Sequence, residues 1–183
     1  MRPDLEARMR AVAGQIEALE QELTALRREA YGGPVTDYQL QGPQGRVTLS
    51  QLFGDRDQLI VIHNMGFACP YCTMWADGFN GLLPHIEERA AFALASPDSV
   101  ERQQKGAAKR GWKFRMVSTE GSTFARDMGF EEDGSPMPGV STFVRAPDGG
   151  IRRHAAASFG PGDGFCSVWS FVDLLPEQPE AAQ

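Results

Sequence analysis

Residues 58–72 read QLIVIHNMGFACPYC, and this stretch decides the fold. It begins with an uninterrupted apolar run, Leu59 to Ile62, which is typical of a buried central strand. A short loop follows, and then Cys69 and Cys72 open a segment with helical apolar spacing, in which Trp75 and Phe79 form the core-facing stripe. The stretch therefore predicts a strand, a loop and a helix that begins on a cysteine pair.

The cysteine pair gains its chemistry from this place in the chain. Unpaired N–H groups and the helix dipole would point at Cys69 and favour its thiolate. Pro70 suits the first helical turn, where its missing N–H costs nothing. Cys72 lies on the same face three residues later, so the two sulfurs can approach bonding distance. We expect Cys69 to be the attacking thiolate and Cys72 the more buried, resolving thiol.

Two other interpretations of the cysteine pair stay open at this stage. A metal ion could use Cys69 and Cys72 with His63, His154 or Cys166, although zinc commonly takes four ligands and the chain has no second Cys-x-x-Cys. The pair could also be inert and structural. His63 either tunes the Cys69 thiolate or is a packed, hydrogen-bonded core residue. Cys166 has apolar neighbours in the sequence, and we therefore expect it to be packed in the core as a small hydrophobic side chain.

Strands and helices alternate through the rest of the chain. The patterns predict helices at 69–85, 99–110, 122–128 and 165–175, and strands at 91–95, 113–117, 140–145 and 151–156. A hairpin at 38–49 comes first, followed by one helical turn with Ser50 as its N-cap. This order predicts an α/β domain at 34–176. Its sheet is mainly parallel with an antiparallel hairpin at one edge, and helices cover both faces. Residues 177–183 are expected to be a flexible tail.

Residues 1–33 are predicted to form a separate amphipathic helix. Its apolar residues recur at alternating spacings of four and three: Leu5, Met9, Val12, Ile16, Leu19, Leu23 and Leu26. Such spacing over about three heptads is a coiled-coil seam, and Gly32-Gly33-Pro34 would end the helix. The helix either pairs with a second copy to form a homodimer or folds back onto its own domain.

Composition argues against several classes of protein. The 183-residue chain has a net charge of −6 and no stripe of Lys and Arg interleaved with aromatic residues, so we expect no nucleic-acid partner. Residues 2–30 contain no apolar core of a signal peptide, and no apolar run is long enough to cross a membrane. Three cysteines do not suit a disulfide scaffold. We expect a cytoplasmic protein with no membrane partner.

The chain resembles the thioredoxin superfamily, in its redoxin and peroxiredoxin-like (AhpC/TSA-type) branch, over about residues 36–158. Residues 38–52 are similar to the opening hairpin and turn of that branch. Residues 59–72 are similar to its first core strand and active site, and residues 118–151 to its later strand, loop and hairpin. The resemblance implies a thioredoxin-like fold with a central mixed sheet flanked by helices.

A closer resemblance is to DUF899, a bacterial thioredoxin-like family of unknown function. The residues that carry it are Leu52-Phe53-Gly54, Asp57, Cys69-Pro70-x-Cys72, residues 75–81, Arg110-Gly111-Trp112, Met137-Pro138, Trp169, Asp173-Leu174 and Pro176-Glu177. The activity of that family is unassigned, so this resemblance implies the fold more than the function.

Three features depart from better-known relatives. Thioredoxins carry Trp before the first cysteine, where this chain has Ala68. Peroxiredoxins place Thr three residues before their peroxide-reacting cysteine and Pro four further back. Here those positions are Gly66 and Ile62, so the hydroxyl that orients peroxide is missing. Thioredoxins also have a cis-proline opposite the active site. Alignment puts Val140 there, so either Pro138 serves with a shifted loop or the cis-proline is absent.

The sequence therefore predicts a thiol-disulfide oxidoreductase of the thioredoxin-like type. Cys69 would attack a disulfide in a protein or small-molecule substrate, and Cys72 would resolve the mixed disulfide. A cellular thiol would supply electrons, and no dissociable cofactor or metal is required. The residues expected to shape the site are Pro70, Tyr71, His63, Pro138 and Val140. The alternatives are a peroxiredoxin-like hydroperoxide reductase, a non-catalytic interaction module and a metal-binding protein.

Overall fold

A computed structural model describes residues 2–176 of the chain. The predicted tail, 177–183, lies outside the described residues. A long helix comes first, and a short strand, a hairpin and one helical turn follow it: α1 (Pro3–Tyr31), β1 (Gly33–Val35), β2 (Gln39–Gly42), β3 (Gly45–Thr48) and α2 (Leu49–Leu52).

The next elements alternate between strand and helix, as the sequence predicts. They are β4 (Gln58–His63), α3 (Pro70–Glu87), β5 (Ala91–Ser96), α4 (Val100–Arg110), β6 (Arg115–Ser118) and α5 (Phe124–Asp127). The chain then forms a two-residue hairpin, a longer hairpin and a last helix: β7 (Glu131–Glu132), β8 (Ser135–Pro136), β9 (Gly139–Arg145), β10 (Ile151–Ser158) and α6 (Ser167–Val172).

Eight of the strands form one mixed sheet in the order β1-β10-β9-β4-β5-β6-β2-β3. The expected mixed sheet is present, but it is less parallel than predicted. Only β4 with β5 and β5 with β6 pair in parallel, whereas β9 pairs antiparallel with the central strand β4. The hairpin of β9 and β10 does not end the sheet either, because β1 adds outside β10. The cysteine pair thus follows a strand near the middle of the sheet.

Both faces of the sheet are buried under helices. Alternate side chains of β4 enter two different apolar clusters, Leu59 and Val61 on one face and Ile62 on the other. Helices α2 and α5 contribute to the first cluster. Helix α3 contributes to the second, where Trp75 and Phe79 are buried as the helical spacing predicts. The second face is therefore the one that holds the cysteine-bearing helix.

The N-cap of α2 differs from the prediction. Thr48 is the N-cap, and it forms a capping box with Gln51: each residue's side chain accepts a hydrogen bond from the other's backbone N–H. Ser50, which we expected to cap the helix, instead binds Asp37 through its N–H and its hydroxyl. The prediction was wrong because it placed the start of the turn two residues late.

Helix α1 leaves its heptad seam uncovered. All seven seam side chains are exposed, from 39% for Leu5 to 63% for Leu19. The helix contacts its own domain through other residues near its C-terminal end, where Arg153 lies 5.0 Å from the ring of Tyr31 and Arg27 lies 5.9 Å from the ring of Phe165. The domain therefore does not cover the seam. No helix among residues 2–176 has the length and apolarity to span a membrane.

Candidate redox site

The loop between β4 and α3 is held by a buried amide. Asn64 donates a hydrogen bond from Nδ2 to the carbonyl of Cys72, at 3.2 Å, and its Oδ1 accepts one from the N–H of Gly66, at 2.8 Å. One side chain thus joins the start of the loop to the first turn of the helix. Sequence analysis did not single out Asn64, because nothing local shows that its partner lies eight residues away.

Glycine at position 66 is a steric requirement of this loop. Gly66 has φ of +96°, a conformation that side-chain-bearing residues rarely adopt. A Cβ placed there would also lie 2.6 Å from Oδ2 of Asp98. The same oxygen accepts the N–H of Phe67 at 2.7 Å, and the carboxylate pairs with Arg102 at 3.1 Å. The loop therefore has no room at this position for the threonine that peroxiredoxins carry.

The ring of Phe67 fixes the other side of the loop. It stacks on Trp112, with ring centroids 5.0 Å apart. It also lies so close to Gly106 of α4 that a Cβ on that glycine would come within 2.1 Å of Phe67 Cζ. The residues just before Cys69 are thus anchored on α4 by packing, in addition to the hydrogen bonds of Asn64 and Asp98.

Cys69 caps the helix that the pair opens. Its backbone is extended, α3 begins at Pro70, and its Sγ accepts the N–H of Cys72 at 3.2 Å. The next turn is closed by the hydroxyl of Thr73, which donates to the carbonyl of Pro70 at 2.7 Å. The predicted position of Cys69 at the helix start is confirmed, and the sulfur replaces the oxygen of an ordinary N-cap.

The two cysteines differ sharply in their surroundings. Cys69 is half-buried, whereas only 1% of Cys72 is exposed. Burial, with a hydrogen bond to Cys69, raises the pKa of the Cys72 thiol to about 12. Cys72 is therefore a neutral thiol at physiological pH, which agrees with its prediction as the more buried member of the pair.

An aromatic surface borders the pair on the side of α6. Tyr71 is 52% exposed, and its ring lies 5.9 Å from Trp169 and 6.4 Å from Trp75. Cys166 stands at the N-cap of α6 and packs against the apolar cluster that contains Cys72. It is half-buried, where the sequence suggested a fully buried residue. The surface around the pair is thus largely apolar.

His63 lies away from the cysteines, within the first apolar cluster. Its ring stacks on Phe130 and Phe124, with centroids 3.9 and 5.3 Å away, and its Nε2 is 2.9 Å from the hydroxyl of Ser141. Burial, together with the charge of Arg153, lowers the pKa of His63 well below 6.5. Strand alternation predicts this position. His63 lies two and four residues after Val61 and Leu59, so its side chain points to the same face of β4 as theirs. Of the two readings of His63, these contacts are those of a packed, hydrogen-bonded residue.

Two other expected site residues lie on or beside β9. Val140 pairs with Ile62 in the sheet and is buried in the cluster that contains Cys72. Pro138 precedes it and accepts the N–H of Phe159 at 3.0 Å. No peptide bond within residues 2–176 is cis. Of the two alternatives at this position, the structure matches the one without a cis-proline.

The cysteine-bearing helix is tied to the connection after α4 by two family-motif residues. Asp77 accepts hydrogen bonds from Arg110 and from the indole of Trp112, both at 2.7 Å. Asn80 accepts the N–H of Lys113 at 2.8 Å. The motif residues around 75–81 and 110–112 thus position α3, and none of these bonds reaches the sulfurs. Within residues 2–176 no group of three His, Cys, Asp or Glu side chains is arranged to hold a metal ion.

The chain matches the family described as "Bacterial protein of unknown function (DUF899)" over residues 5–182. It belongs to the DUF899 family. A comparison with curated proteins finds no match to the sequence.

Solved structures similar to this DUF899 protein include peroxiredoxins. Peroxidoxin BcpB from Mycobacterium tuberculosis is 28% identical with a TM-score of 0.56, and the match covers 70% of this chain and 84% of that one. A PrxQ variant from Xylella fastidiosa is 20% identical with a TM-score of 0.57, covering 78% and 91%. Reduced Prx3 from Vibrio vulnificus, in complex with hydrogen peroxide, is 12% identical with a TM-score of 0.60, covering 79% and 98%. The predicted thioredoxin-like fold is confirmed.

Proposed function

We propose that this DUF899 protein is a thiol-disulfide oxidoreductase that works through Cys69 and Cys72. The asymmetry of the pair carries the proposal. Cys69 is half-buried at a helix start and its sulfur accepts a backbone N–H, whereas Cys72 is buried and keeps its proton. The less buried sulfur, beside the helix N–H groups, serves as the attacking group, and the buried thiol three residues later serves to resolve.

The proposed reaction moves two electrons from the protein to the substrate. The Cys69 thiolate attacks one sulfur of the substrate disulfide, forms a mixed disulfide and releases the other sulfur as a thiolate. That thiolate, or water, takes the proton that Cys72 must lose. Cys72 then attacks the sulfur of Cys69, the substrate's second sulfur leaves as a thiolate that takes a proton from water, and the protein is left with a Cys69–Cys72 disulfide. Two equivalents of a thiol of the reducing cytoplasm restore the dithiol and leave joined as a disulfide.

The surface beside the pair supports a protein or small-molecule disulfide as the substrate. Tyr71 is an exposed large apolar side chain, and Trp169 lies against it. A rim of this kind favours a substrate whose disulfide is flanked by apolar groups. In this proposal Pro70 and Tyr71 tune the pair, and Val140 packs beneath it.

Trapping of the mixed disulfide tests the proposal. In a Cys72→Ser variant the attack by Cys69 would proceed but resolution would stop, so a disulfide substrate should remain bound to Cys69 until a reductant is added. Cys69→Ser is the matched control and should trap nothing. Equal adducts on both variants, or none on either, would contradict the proposal. Peptide mass spectrometry locates the bound cysteine.

A second candidate function is reduction of hydroperoxides, favoured by the similarity to peroxiredoxin structures. The Cys69 thiolate would take one oxygen from the peroxide and become a sulfenic acid, releasing an alcohol or water. Cys72 would then form the disulfide and release water. The missing hydroxyl at Gly66 counts against efficient catalysis. A peroxide rate constant no greater than that of a free thiol would exclude this activity, and rapid sulfenic acid formation at Cys69 would support it.

We also propose a homodimer formed through α1, because its seam of seven apolar side chains is exposed. The full-length Ile16→Glu/Leu23→Glu variant places charge in the seam and should be a monomer by light scattering. The matched control Ala7→Glu/Gln21→Glu adds the same charge to the opposite face and should stay a dimer. An equal mass for wild type and the seam variant would contradict the proposal.

A further inference from the structure

We infer that the two copies of α1 pair antiparallel, in a register that places Met9 of one copy against Leu26 of the other; this inference rests on the proposed homodimer. The seam divides into two heptad positions. Position a holds Met9, Ile16 and Leu23, and position d holds Leu5, Val12, Leu19 and Leu26. Every one of these side chains is exposed in the structure. A second copy of the same helix is the occupant that matches this pattern in length and spacing.

Charge along α1 favours an antiparallel pair over a parallel one. In a parallel dimer position g of one copy faces position e of the other copy's next heptad. The oppositely charged contact is then Glu22 with Arg27, made twice by symmetry, while Arg8 faces Ala13 and Gln15 faces Glu20. An antiparallel dimer instead pairs g with g and e with e, and this brings more opposite charges together.

The flanking positions favour the antiparallel pair directly. Position g runs from Arg8 through Gln15 to Glu22 and Glu29, so its charge changes from positive to negative along the helix. In an antiparallel pair the two g rows lie on the same flank. Each basic end then faces the acidic end of the other copy. A row whose charge reverses along its length is complementary to itself only in this orientation.

One register satisfies both the seam and the flanks. With Met9 against Leu26, Val12 meets Leu23 and Ile16 meets Leu19, and symmetry repeats each of the three contacts. In the same register Arg8 faces Glu29 of the second copy on the g flank, and Glu6 faces its Arg27 on the e flank. The helix of 29 residues is about 43 Å long at 1.5 Å per residue, so all six layers fit within it.

This arrangement also brings the second copy close to the redox site. Arg27 already lies over the ring of Phe165, just before α6, and Trp169 of α6 contacts Tyr71 beside the cysteines. The N-terminal end of the second copy's α1 would lie beside Arg27. The dimer would therefore border the apolar rim of the site, and the two domains would stand at opposite ends of the helix pair.

Disulfide mapping tests the orientation and the register together. The variant Met9→Cys/Leu26→Cys, in a full-length chain with Cys69, Cys72 and Cys166 replaced by serine, is oxidised and digested for mass spectrometry. The inference predicts a linkage between position 9 of one copy and position 26 of the other. The matched control Ala7→Cys/Arg28→Cys places its two cysteines at matching levels of the same register but on the outer face, and it should form no such linkage.

Three outcomes would overturn the inference. Linkages of 9 with 9 and 26 with 26 would show a parallel dimer. A dimer by light scattering that forms neither linkage would show a different register. A monomer at all concentrations would remove the proposed dimer itself, a result that leaves the redox proposal untouched. Circular dichroism of each variant confirms that the helix is intact.

Discussion

At the residue scale, the two cysteines should differ in reactivity because they differ in burial. In Cys69→Ser the remaining Cys72 stays buried, and burial is the main reason that its pKa is raised to about 12. Thiolate is the reactive form, so at pH 8 Cys72 should react with iodoacetamide at least about 100-fold more slowly than Cys69 does in Cys72→Ser. The measurement is alkylation followed by mass spectrometry. Equal rates would contradict the assignment of roles.

Gly66 gives a second prediction at this scale. Gly66→Thr restores the peroxiredoxin residue, but the positive φ and the approach of Asp98 leave no space for it. We expect no gain in peroxide reduction and a loss of stability in urea unfolding. Gly54→Thr is the control, since Gly54 also has positive φ but nothing within 4 Å of an added Cβ. Gly66→Thr should lower the free energy of unfolding by at least about 1 kcal/mol more than Gly54→Thr does. Equal decreases for the two variants would contradict the steric argument.

Only part of the site could be predicted residue by residue. The capping position of Cys69 and the burial of Cys72 follow from local helix geometry, which the sequence specifies. Asn64 and Asp98 act through partners that only the folded chain brings together, so no local pattern identifies them. The position of His63 could be predicted only in part. Strand alternation shows that its side chain shares a face of the sheet with Leu59 and Val61, but not whether α3 packs on that face.

At the element scale, α3 should depend on its outward-facing aspartate. Asp77→Ala removes the acceptor of the Arg110 and Trp112 hydrogen bonds, and we expect a loss of about 1–3 kcal/mol in the free energy of unfolding. Asp77→Asn keeps one oxygen acceptor, so its free energy of unfolding should decrease by less. Urea unfolding followed by tryptophan fluorescence measures both variants. An Asp77→Ala protein as stable as wild type would show that these bonds do not hold the helix.

Elements with strong periodicity were predicted well and short ones were not. The heptad spacing gives α1, and the apolar run gives β4, within two residues of their observed ends. Strand β1 was missed because Gly33-Pro34-Val35 has no alternation, and it becomes a strand only by pairing with β10. The same local signals misplaced the cap of α2, although the Thr48-x-x-Gln51 pattern was present in the sequence.

At the scale of the whole molecule, His63 should make stability depend on pH. Its pKa is held well below 6.5 in the native state by burial, whereas in the unfolded chain it titrates near 6.5. The unfolded state therefore binds the extra proton, and stability should fall as pH drops below about 6.5, by up to about 1.4 kcal/mol per pH unit.

Urea unfolding between pH 5 and 8 measures this dependence. His63→Gln should lose the slope between pH 5 and 6.5, whatever its effect on stability at pH 8. His85→Gln, at an exposed position on α3, is the control and should keep the slope. A slope unchanged by His63→Gln would contradict the argument.

The class of the whole fold was predictable, but the order of its strands was not. Alternation of strands and helices indicates a sheet covered on both faces, and the two apolar clusters confirm it. The place of β9 between β4 and β10 depends on pairing across about 80 residues, as between Ile62 and Val140. No local pattern specifies such pairing. It explains why the sheet has more antiparallel pairs than expected.

The central claim is that Cys69 and Cys72 form a reversible redox pair, and a titration across glutathione redox buffers tests it most directly. Free thiols are alkylated at each buffer potential and mapped by mass spectrometry in wild type, Cys69→Ser, Cys72→Ser and Cys166→Ser. We predict one two-electron transition confined to Cys69 and Cys72. Either site variant should abolish it, and Cys166→Ser should leave it unchanged. Thiols whose labelling does not vary with buffer potential would contradict the claim and assign the pair a structural role.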